Sequence, residues 1–326
     1  MTTTPADIGR DEPSIALPHL RWRVLTPDDT AELDQLRDQL AMLDTSVLSD
    51  LAADAETGTP LVGDGLAIGG WDTYDTLTAY GALHLGSTDP LRLYLFGGVL
   101  PAHRHKGIGT SLLGWQVAAG SAWRDERYPG VPLRLSCHAE LSRQGLMRAA
   151  EAHGFATERY YYDLVRGLEH PPPVRDVEGV EIVAFTDDRS EDVRLLHNLC
   201  FEPIGGGAVS AEEWARRTGS PEFRADWSVV ALADGGVVGY AMNADDIADD
   251  GGPAGWTERF GVHPGYRRRG VALALLSHGL RAMHEGGCVE AGIGVDTPDG
   301  LAMSRLVADL GYATRDAVGL LTKVIV

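Results

Sequence analysis

The amino-acid sequence predicts a mixed α/β fold that occurs twice in tandem along 326 residues. Alternating or wholly apolar runs, typical of strands, lie between segments whose apolar residues recur every three or four positions, as in helices. Each half also contains one version of the same motif, and the two versions lie 163 residues apart: VLPAHRHKGIGTSLL from Val99 and VHPGYRRRGVALALL from Val262. A repeat at this spacing indicates a duplicated domain.

The elements follow the same order in both halves. A short strand with a Thr/Asp cluster comes first, as RWRVLTPDD from Arg21 and EIVAFTDD from Glu181. We then expect a helix, a variable second helix, three strands, the motif, a helix, a strand, a helix and a last strand. Apolar residues on one face predict helices over residues 190–200 and 270–283, and apolar runs predict strands over residues 93–99 and 227–233.

Three consecutive prolines at residues 171–173 mark the boundary between the halves. Proline can neither continue a helix nor donate a hydrogen bond in a central strand, so this stretch is typical of a stiff linker. We therefore predict four regions: a flexible N-terminus over residues 1–17, an N-terminal domain over 18–169, a Pro-rich linker over 170–176 and a C-terminal domain over 177–326.

The composition argues against several classes of function. The net charge is -19, spread almost evenly over the two halves. Such a charge disfavours binding to nucleic acid or anionic lipid and favours neutral or cationic ligands. The three cysteines are far apart and the eleven histidines show no paired metal spacing, so neither a disulfide framework nor a metal site is expected. The polar, acidic N-terminal sequence and the lack of a long apolar run predict a cytoplasmic protein.

The repeated motif combines features that suit phosphate binding. In each copy, an Arg-x-x-Gly-x-Gly/Ala stretch follows a strand and precedes a helix; we call residues 104–109 and 267–272 the two Arg/Gly segments. Unpaired amides at a helix N-terminus bind phosphate oxygens, and glycine allows the backbone to approach them closely. A solvated loop with exposed arginines is the alternative for either copy alone. The duplication favours the phosphate-binding interpretation.

The motif Val-x-Pro-x-x-Arg-x-x-Gly-x-Gly/Ala, followed by a leucine-rich helix, resembles the acetyl-CoA-binding motif of the GNAT acyltransferases. The resemblance extends over nearly the whole chain, and the tandem arrangement with its linker is most similar to the mycothiol synthases and their tandem-GNAT relatives. It implies two GNAT-like domains, each a central, mostly antiparallel twisted sheet flanked by helices.

The resemblance also implies that acetyl-CoA (coenzyme A) is the co-substrate. Backbone amides of the Arg/Gly segments would hold its pyrophosphate, through Arg267, Arg268, Arg269, Gly270, Val271 and Ala272 in one half and Arg104, His105, Lys106, Gly107, Ile108 and Gly109 in the other. The preceding strands would separate from the next strand and pair with the pantetheine arm, through Phe260, Gly261 and Val262 and through Gly98 and Val99.

A small amine would then attack the thioester directly, and its proton requires a base. Glu258 is the carboxylate on the strand before the second Arg/Gly segment, although Trp256 holds the position at which such relatives carry the acid. Residues two apart share a strand face, so Glu258 is the candidate catalytic residue. The alternative is an exposed strand glutamate beside Arg259. Leu95 holds the corresponding position in the first half, so we expect the C-terminal domain to be catalytic and the N-terminal domain not to be.

The tyrosine that protonates the leaving thiolate in many family members is missing from both halves. Its positions hold Val307 and Ala150, and those of the accompanying Asn hold Gly300 and Arg143. Ser304 or a water could take over this role.

Three functions remain open at this stage. The first is an acetyl-CoA-dependent N-acetyltransferase acting on a small amine that can be cationic. The second is a weak or inactive acyl-CoA-binding sensor or scaffold. The third and narrowest is a mycothiol synthase, which would acetylate a cysteinyl glucosaminyl-inositol precursor. A monomer or a homodimer is expected, with no nucleic-acid or membrane partner.

Overall fold

The computed structural model describes residues 20–43, 66–202, 207–298, 306 and 308–326. The chain divides into two compact units, one formed by Met1–Tyr161 with Asp316–Val326 and the other by Tyr162–Arg315. The segment 1–17 lies outside the described residues, and the domain limits drawn from the sequence stay a prediction. The second unit begins inside the region assigned to the N-terminal domain, and the chain's last residues belong to the first unit.

Among the described residues, the first unit contains three α-helices, five whole strands and parts of two more. In chain order its elements are β1 (Arg21–Val24), α1 (Thr30–Ala41), β2 (Ala67–Trp71), β3 (Leu77–Thr88), β4 (Leu91–Val99), α2 (Ile108–Arg127), β5 (Leu133–Glu140), α3 (Gln144–Ala152), the start of β6 (Ala156–Gly167) and most of the chain's last strand, β12 (Ala313–Ile325). The order agrees with the predicted one over the described residues.

The sheet of the first unit has the strand order β1-β2-β3-β4-β5-β12. Its pairs are antiparallel except for β4 with β5, which run parallel. Leu83, Leu93 and Leu135 are fully buried on these strands and pack with Leu113 and Trp123 of α2. Burying such a side chain contributes about 2 kcal/mol, so this contact fixes α2 and its N-terminus on the sheet.

The second unit repeats this architecture. Its elements are the remainder of β6, β7 (Glu181–Ala184), α4 (Ser190–Phe201), α5 (Ala211–Thr218), β8 (Val229–Ala233), β9 (Gly236–Ile247), β10 (Pro253–Val262), α6 (Val271–Glu285), β11 (Glu290–Thr297) and the first residues of β12. The strand order is β7-β8-β9-β10-β11-β6, and β10 with β11 is again the parallel pair. Together the two units confirm the predicted mixed α/β fold.

The sixth strand of each unit is not the one that the sequence repeat suggests. Val318–Ile325, at the end of the second repeat, pair with Leu133–Glu140 of β5 in the first unit. Strand β6 ends the first repeat, yet it continues into the second unit, where it neighbours β11. The sequence predicted both last strands but placed each in its own repeat.

No helix within the described ranges is long and apolar enough to cross a membrane.

Candidate active site

Strand β10 separates from its parallel neighbour near the middle of its length. Its pairing with β11 ends at Thr257 and Ile293, whereas its pairing with β9 continues to Val262. The backbone of residues 258–262 therefore faces β11 without a ladder partner there. In the first unit the parallel pairing likewise ends at Tyr94 and Ser136, and residues 95–99 continue beyond it. The separation implied by the resemblance is present in both units.

Glu258 occupies a β-bulge at this point of separation. Thr257 pairs with Asn243 and Arg259 with Met242, so Glu258 is one residue more than β9 can match. Strict alternation is broken here, and the sequence argument that residues two apart share a face does not hold across the bulge. Glu258 is exposed and, within the described part of the chain, makes no hydrogen bond or ion pair.

The bulge turns Arg259 to the sheet face opposite that of Thr257. Thr257 donates a hydrogen bond to Asn243 Oδ1 (2.8 Å), and the Asn243 amide lies against α6 at Gly279. Met242, which pairs with Arg259, instead packs with α4 and α5 through Leu196 and Trp214. Cross-strand partners share a face, so Arg259 points towards α4 and α5.

The first unit has no counterpart of this arrangement on β4. Tyr94, Leu95 and Phe96 pair in unbroken register with β3, and the Leu95 side chain is buried in the core. Thus the position equivalent to Glu258 carries neither a carboxylate nor a bulge.

The second Arg/Gly segment begins with an anchored arginine. Arg267 Nε donates to the carbonyl of Val262, the last residue of β10 (3.1 Å), which also accepts a hydrogen bond from Cys200 Sγ (3.4 Å). Arg268 adopts a positive φ of 62° and Gly270 one of 89°, and α6 begins directly after Gly270. This path leaves the first backbone amides of α6 without hydrogen-bond partners, next to the end of β10.

The first Arg/Gly segment follows the same backbone path. Arg104 Nε donates to the carbonyl of Val99 (2.8 Å), His105 has a φ of 62° and Gly107 a φ of 81°, and α2 begins at Ile108. Lys106 Nζ donates to the Ala102 carbonyl (3.1 Å). Both segments therefore have the geometry of an anion-binding helix start, and a Cβ at Gly107 or Gly109 would meet no heavy atom within 4 Å.

A cavity of about 210 Å³ lies between β10, the second Arg/Gly segment and β11. Its lining is mostly apolar and includes seven of the residues that the sequence singled out, namely Phe260, Val262, Arg267, Arg268, Gly270, Val271 and Ala272. Val295 of β11 and Leu306 complete the wall on the other side. An apolar channel that ends at free amides can accept a ligand with an apolar arm and an anionic head.

Three predicted binding residues lie elsewhere around the segments. Arg269 is exposed, and its guanidinium lies 4.8 Å from the ring centroid of Tyr266, whose hydroxyl donates to Asp234. Gly261 allows the ring of Tyr240 to approach the strand, because a Cβ there would lie 2.8 Å from Tyr240 Cε1. Gly98 does the same for Leu40 in the first unit, where a Cβ would lie 2.3 Å from Leu40 Cδ1.

A buried polar pair that sequence reasoning missed lies behind Arg259. His197 of α4 and Tyr240 of β9 share a hydrogen bond of 2.6 Å between Nδ1 and the hydroxyl, inside a cluster that includes Phe201 and Trp214. Burial, together with the charges of Arg259 and Arg217, lowers the pKa of His197 to about 4. Burial raises the pKa of Tyr240, so both groups are uncharged near neutral pH.

The low pKa of His197 predicts acid sensitivity of the fold. An unfolded histidine binds a proton near pH 6.5, whereas folded His197 does so only near pH 4, so the stability that neutral His197 confers is lost as the pH falls through this interval. We expect a loss of about 3 kcal/mol in unfolding free energy from this group. Urea denaturation of the wild type and His197→Gln at about pH 7 and pH 4.5 measures it. Equal pH dependence in the two proteins would contradict the assignment.

Two positions in each half correspond to the tyrosine that protonates the thiolate in relatives and to its accompanying Asn, and the structure describes those of the first half. Ala150 belongs to α3 and is buried in the core of the first unit. Arg143, at the position of the accompanying Asn, forms an ion pair with Glu140 (2.8 Å). The corresponding Val307, Gly300 and Ser304 of the second half lie outside the described residues.

Among the described residues, no group of three His, Cys, Asp or Glu side chains is arranged to hold a metal ion.

Comparison with known proteins agrees with this geometry. Residues 191–312, which include β10, the second Arg/Gly segment and α6, match the model of the acetyltransferase (GNAT) family. The chain is 32% identical over 149 residues to an acetyltransferase of Yersinia pestis, matching 45% of this chain and 97% of that protein. It is 27% identical over 285 residues to a protein of Frankia casuarinae named mycothiol acetyltransferase, covering 81% of this chain and 79% of that protein.

A solved structure extends the likeness to the fold of almost the entire chain. The GCN5-related N-acetyltransferase from Sphaerobacter thermophilus superposes with a TM-score of 0.60 at 22% identity, covering 94% of this chain and 95% of the other. The shared fold, the family match over the strand and helix of the site, and the acetyltransferase relatives lead to one conclusion: the chain belongs to the GNAT acetyltransferase family and is an N-acetyltransferase.

Proposed function

We propose that the protein transfers an acetyl group from acetyl-CoA to a small amine and that the second unit carries the reaction. The observation that supports this most directly is the coincidence of three features on β10: the separation from β11, the bulge with Glu258, and the Arg/Gly segment that follows. The first unit shares the separation and the segment but lacks the bulge and the carboxylate. We infer that the first unit is not catalytic.

The residues of the second unit fit coenzyme A. The free amides at the start of α6, with Arg268 and Arg269 beside them, would hold the pyrophosphate, and the unpaired backbone of residues 260–262 would hold the pantetheine amides. The apolar cavity accepts an uncharged arm. When bound, acetyl-CoA supplies an activated thioester.

Glu258 acts as the base in this proposal. Its carboxylate accepts a proton from the acceptor ammonium, directly or through a water, so that a neutral amine can attack. An unpaired N–H of β10 can donate to the carbonyl oxygen as negative charge develops on it. The nitrogen–carbon bond forms as the carbon–sulfur bond breaks, the attacking nitrogen releases its second proton to water, and the departing thiolate takes up a proton from water.

The acceptor has one narrower candidate. Relatives named mycothiol acetyltransferase, at 27% to 29% identity, favour a thiol precursor of the mycothiol type, such as cysteinyl glucosaminyl-inositol. The mycothiol-type acceptor and a general small amine would use the same site, so only the identity of the acceptor distinguishes the two proposals.

Thiol release tests the proposal. Acetyl-CoA is mixed with the protein and a panel of primary amines that includes cysteinyl glucosaminyl-inositol, and the CoA formed is separated by chromatography and quantified, because the cysteinyl acceptor carries a thiol of its own. We expect amine-dependent release. Tight CoA binding without release for any amine would overturn the proposal and favour an acyl-CoA sensor or scaffold.

A further inference from the structure

The side chain of Arg259 is a partly buried cation without a partner. Its guanidinium makes no hydrogen bond and no ion pair with any residue in the described ranges, although burial lowers its pKa. By contrast, Arg267 donates to the Val262 carbonyl, and Arg217 forms an ion pair with Glu213 (2.6 Å). A desolvated charge is costly unless a counter-ion or hydrogen bonds satisfy it, so Arg259 is suited to a ligand.

The surroundings of Arg259 carry an excess of positive charge. Arg217 and Arg216 of α5 both bind the single carboxylate of Glu213. Glu258 is the other acidic neighbour of Arg259, yet the two adjacent side chains form no ion pair with each other. His197 behind them is neutral. The cluster as a whole therefore carries a net positive charge, and Arg259 and Glu258 are its cation and its anion without an ion-pair partner among the described residues.

The location of this pair coincides with the place where an acceptor must lie. The bulge sets Glu258 and Arg259 side by side at the point where β10 leaves β11, and Arg259 faces α4 and α5 rather than α6 and the cavity. A ligand held by Arg259 would thus approach from the sheet face opposite the one that the Arg/Gly segment and cavity serve.

We propose that Arg259 binds a carboxylate of the acceptor, so that the substrates are zwitterionic amines such as α-amino acids, with the ammonium at Glu258 and the carboxylate at Arg259. A planar guanidinium can bind a carboxylate through two parallel hydrogen bonds, which also fixes the orientation of the amine. This inference rests on the proposed function and narrows its acceptor. It disfavours an acceptor whose carboxyl group is already in an amide, as in the mycothiol-type candidate.

Matched substrate pairs test the proposal. Thiol release is measured for several α-amino acids and for their carboxamides, such as leucine and leucinamide, with the wild type and Arg259→Gln. We expect a kcat/KM about 10- to 100-fold higher for the carboxylate form in the wild type, from the loss of charged hydrogen bonds in the amide. In Arg259→Gln this preference disappears while turnover of the carboxamide is kept. Arg259→Lys should retain part of the preference, since lysine keeps the positive charge but lacks the planar guanidinium that donates two parallel hydrogen bonds.

Arg21→Gln is the matched control, because Arg21 is an exposed arginine of β1 in the first unit, where it forms an ion pair with Asp75. It should keep the wild-type preference. No preference in the wild type, a preference for the carboxamide, or an equal loss of both substrates in Arg259→Gln would overturn the assignment.

A binding measurement separates failure of this inference from failure of the proposed function. Calorimetric titration with N-acetyl-leucine and N-acetyl-leucinamide reports on Arg259 without any turnover. Selective binding of the carboxylate, lost in Arg259→Gln, would support the role of Arg259 even if no amine released thiol. Equal binding of both compounds would refute it even if acetyl transfer occurred.

Discussion

The Gly270→Glu variant is expected to lose measurable CoA binding by the second unit. Gly270 has a φ of 89°, a region that an L-residue enters at a cost of about 1–2 kcal/mol. Its place directly before α6 would also put the new carboxylate beside the amides proposed to hold the pyrophosphate, so that two anions compete for one site. Equilibrium dialysis or calorimetry with CoA measures the effect, and unchanged affinity would refute the assignment of the segment.

Two matched variants separate charge from backbone strain and one segment from the other. Gly270→Asn introduces a neutral side chain that tolerates positive φ, so it should retain much of the affinity. Gly107→Glu makes the same change at the equivalent position of the first unit, where φ is 81° and a Cβ has open space. If both segments bind CoA, each Glu variant lowers the stoichiometry from two to one. If only the second unit binds, Gly107→Glu leaves binding unchanged.

The second large effect is expected at Glu258. Glu258→Gln keeps the size of the side chain and removes its ability to accept a proton, and general-base catalysis contributes about 10²- to 10⁴-fold to rates. We expect kcat to fall by at least about 100-fold with little change in CoA affinity. Steady-state kinetics and CoA titration of the same preparation supply both measurements.

The matched control for Glu258 is Glu181→Gln, which removes an exposed carboxylate from strand β7 of the same unit. It should leave kcat unchanged. A Glu258→Gln enzyme with wild-type kcat would remove Glu258 from the mechanism and assign the proton transfer to water.

The sequence predicted most of the architecture because local patterns determine it. Apolar periodicity predicted α4 and α6, and the repeated Arg/Gly segment predicted the matching strand–loop–helix paths. The placement of β6 and β12 could not be predicted, because the residue pattern of a strand does not specify whether it pairs with β5 or with β11, and tertiary packing selects between these partners.

The sequence predicted the part of the candidate site that local residue spacing determines. Glycine and arginine at fixed spacing indicated the segments before α2 and α6. The bulge at Glu258 has no local sequence signal, since it arises from a mismatch in register with β9, and it determines the direction of Arg259. The pairing of His197 with Tyr240 joins residues 43 positions apart, which no spacing rule connects.

The position of β12 sets the order in which the first sheet can be completed during biosynthesis. β5 lies early in the chain, but its neighbour β12 is synthesised only after the other described elements of both units. Until β12 has been synthesised, the nascent first unit must carry an open edge on β5, and exposed edges of this kind attract other strands. A stop codon shortly before residue 318 would therefore damage the unit encoded first, and leave the proposed catalytic strand β10 fully synthesised in a protein whose N-terminal sheet cannot close.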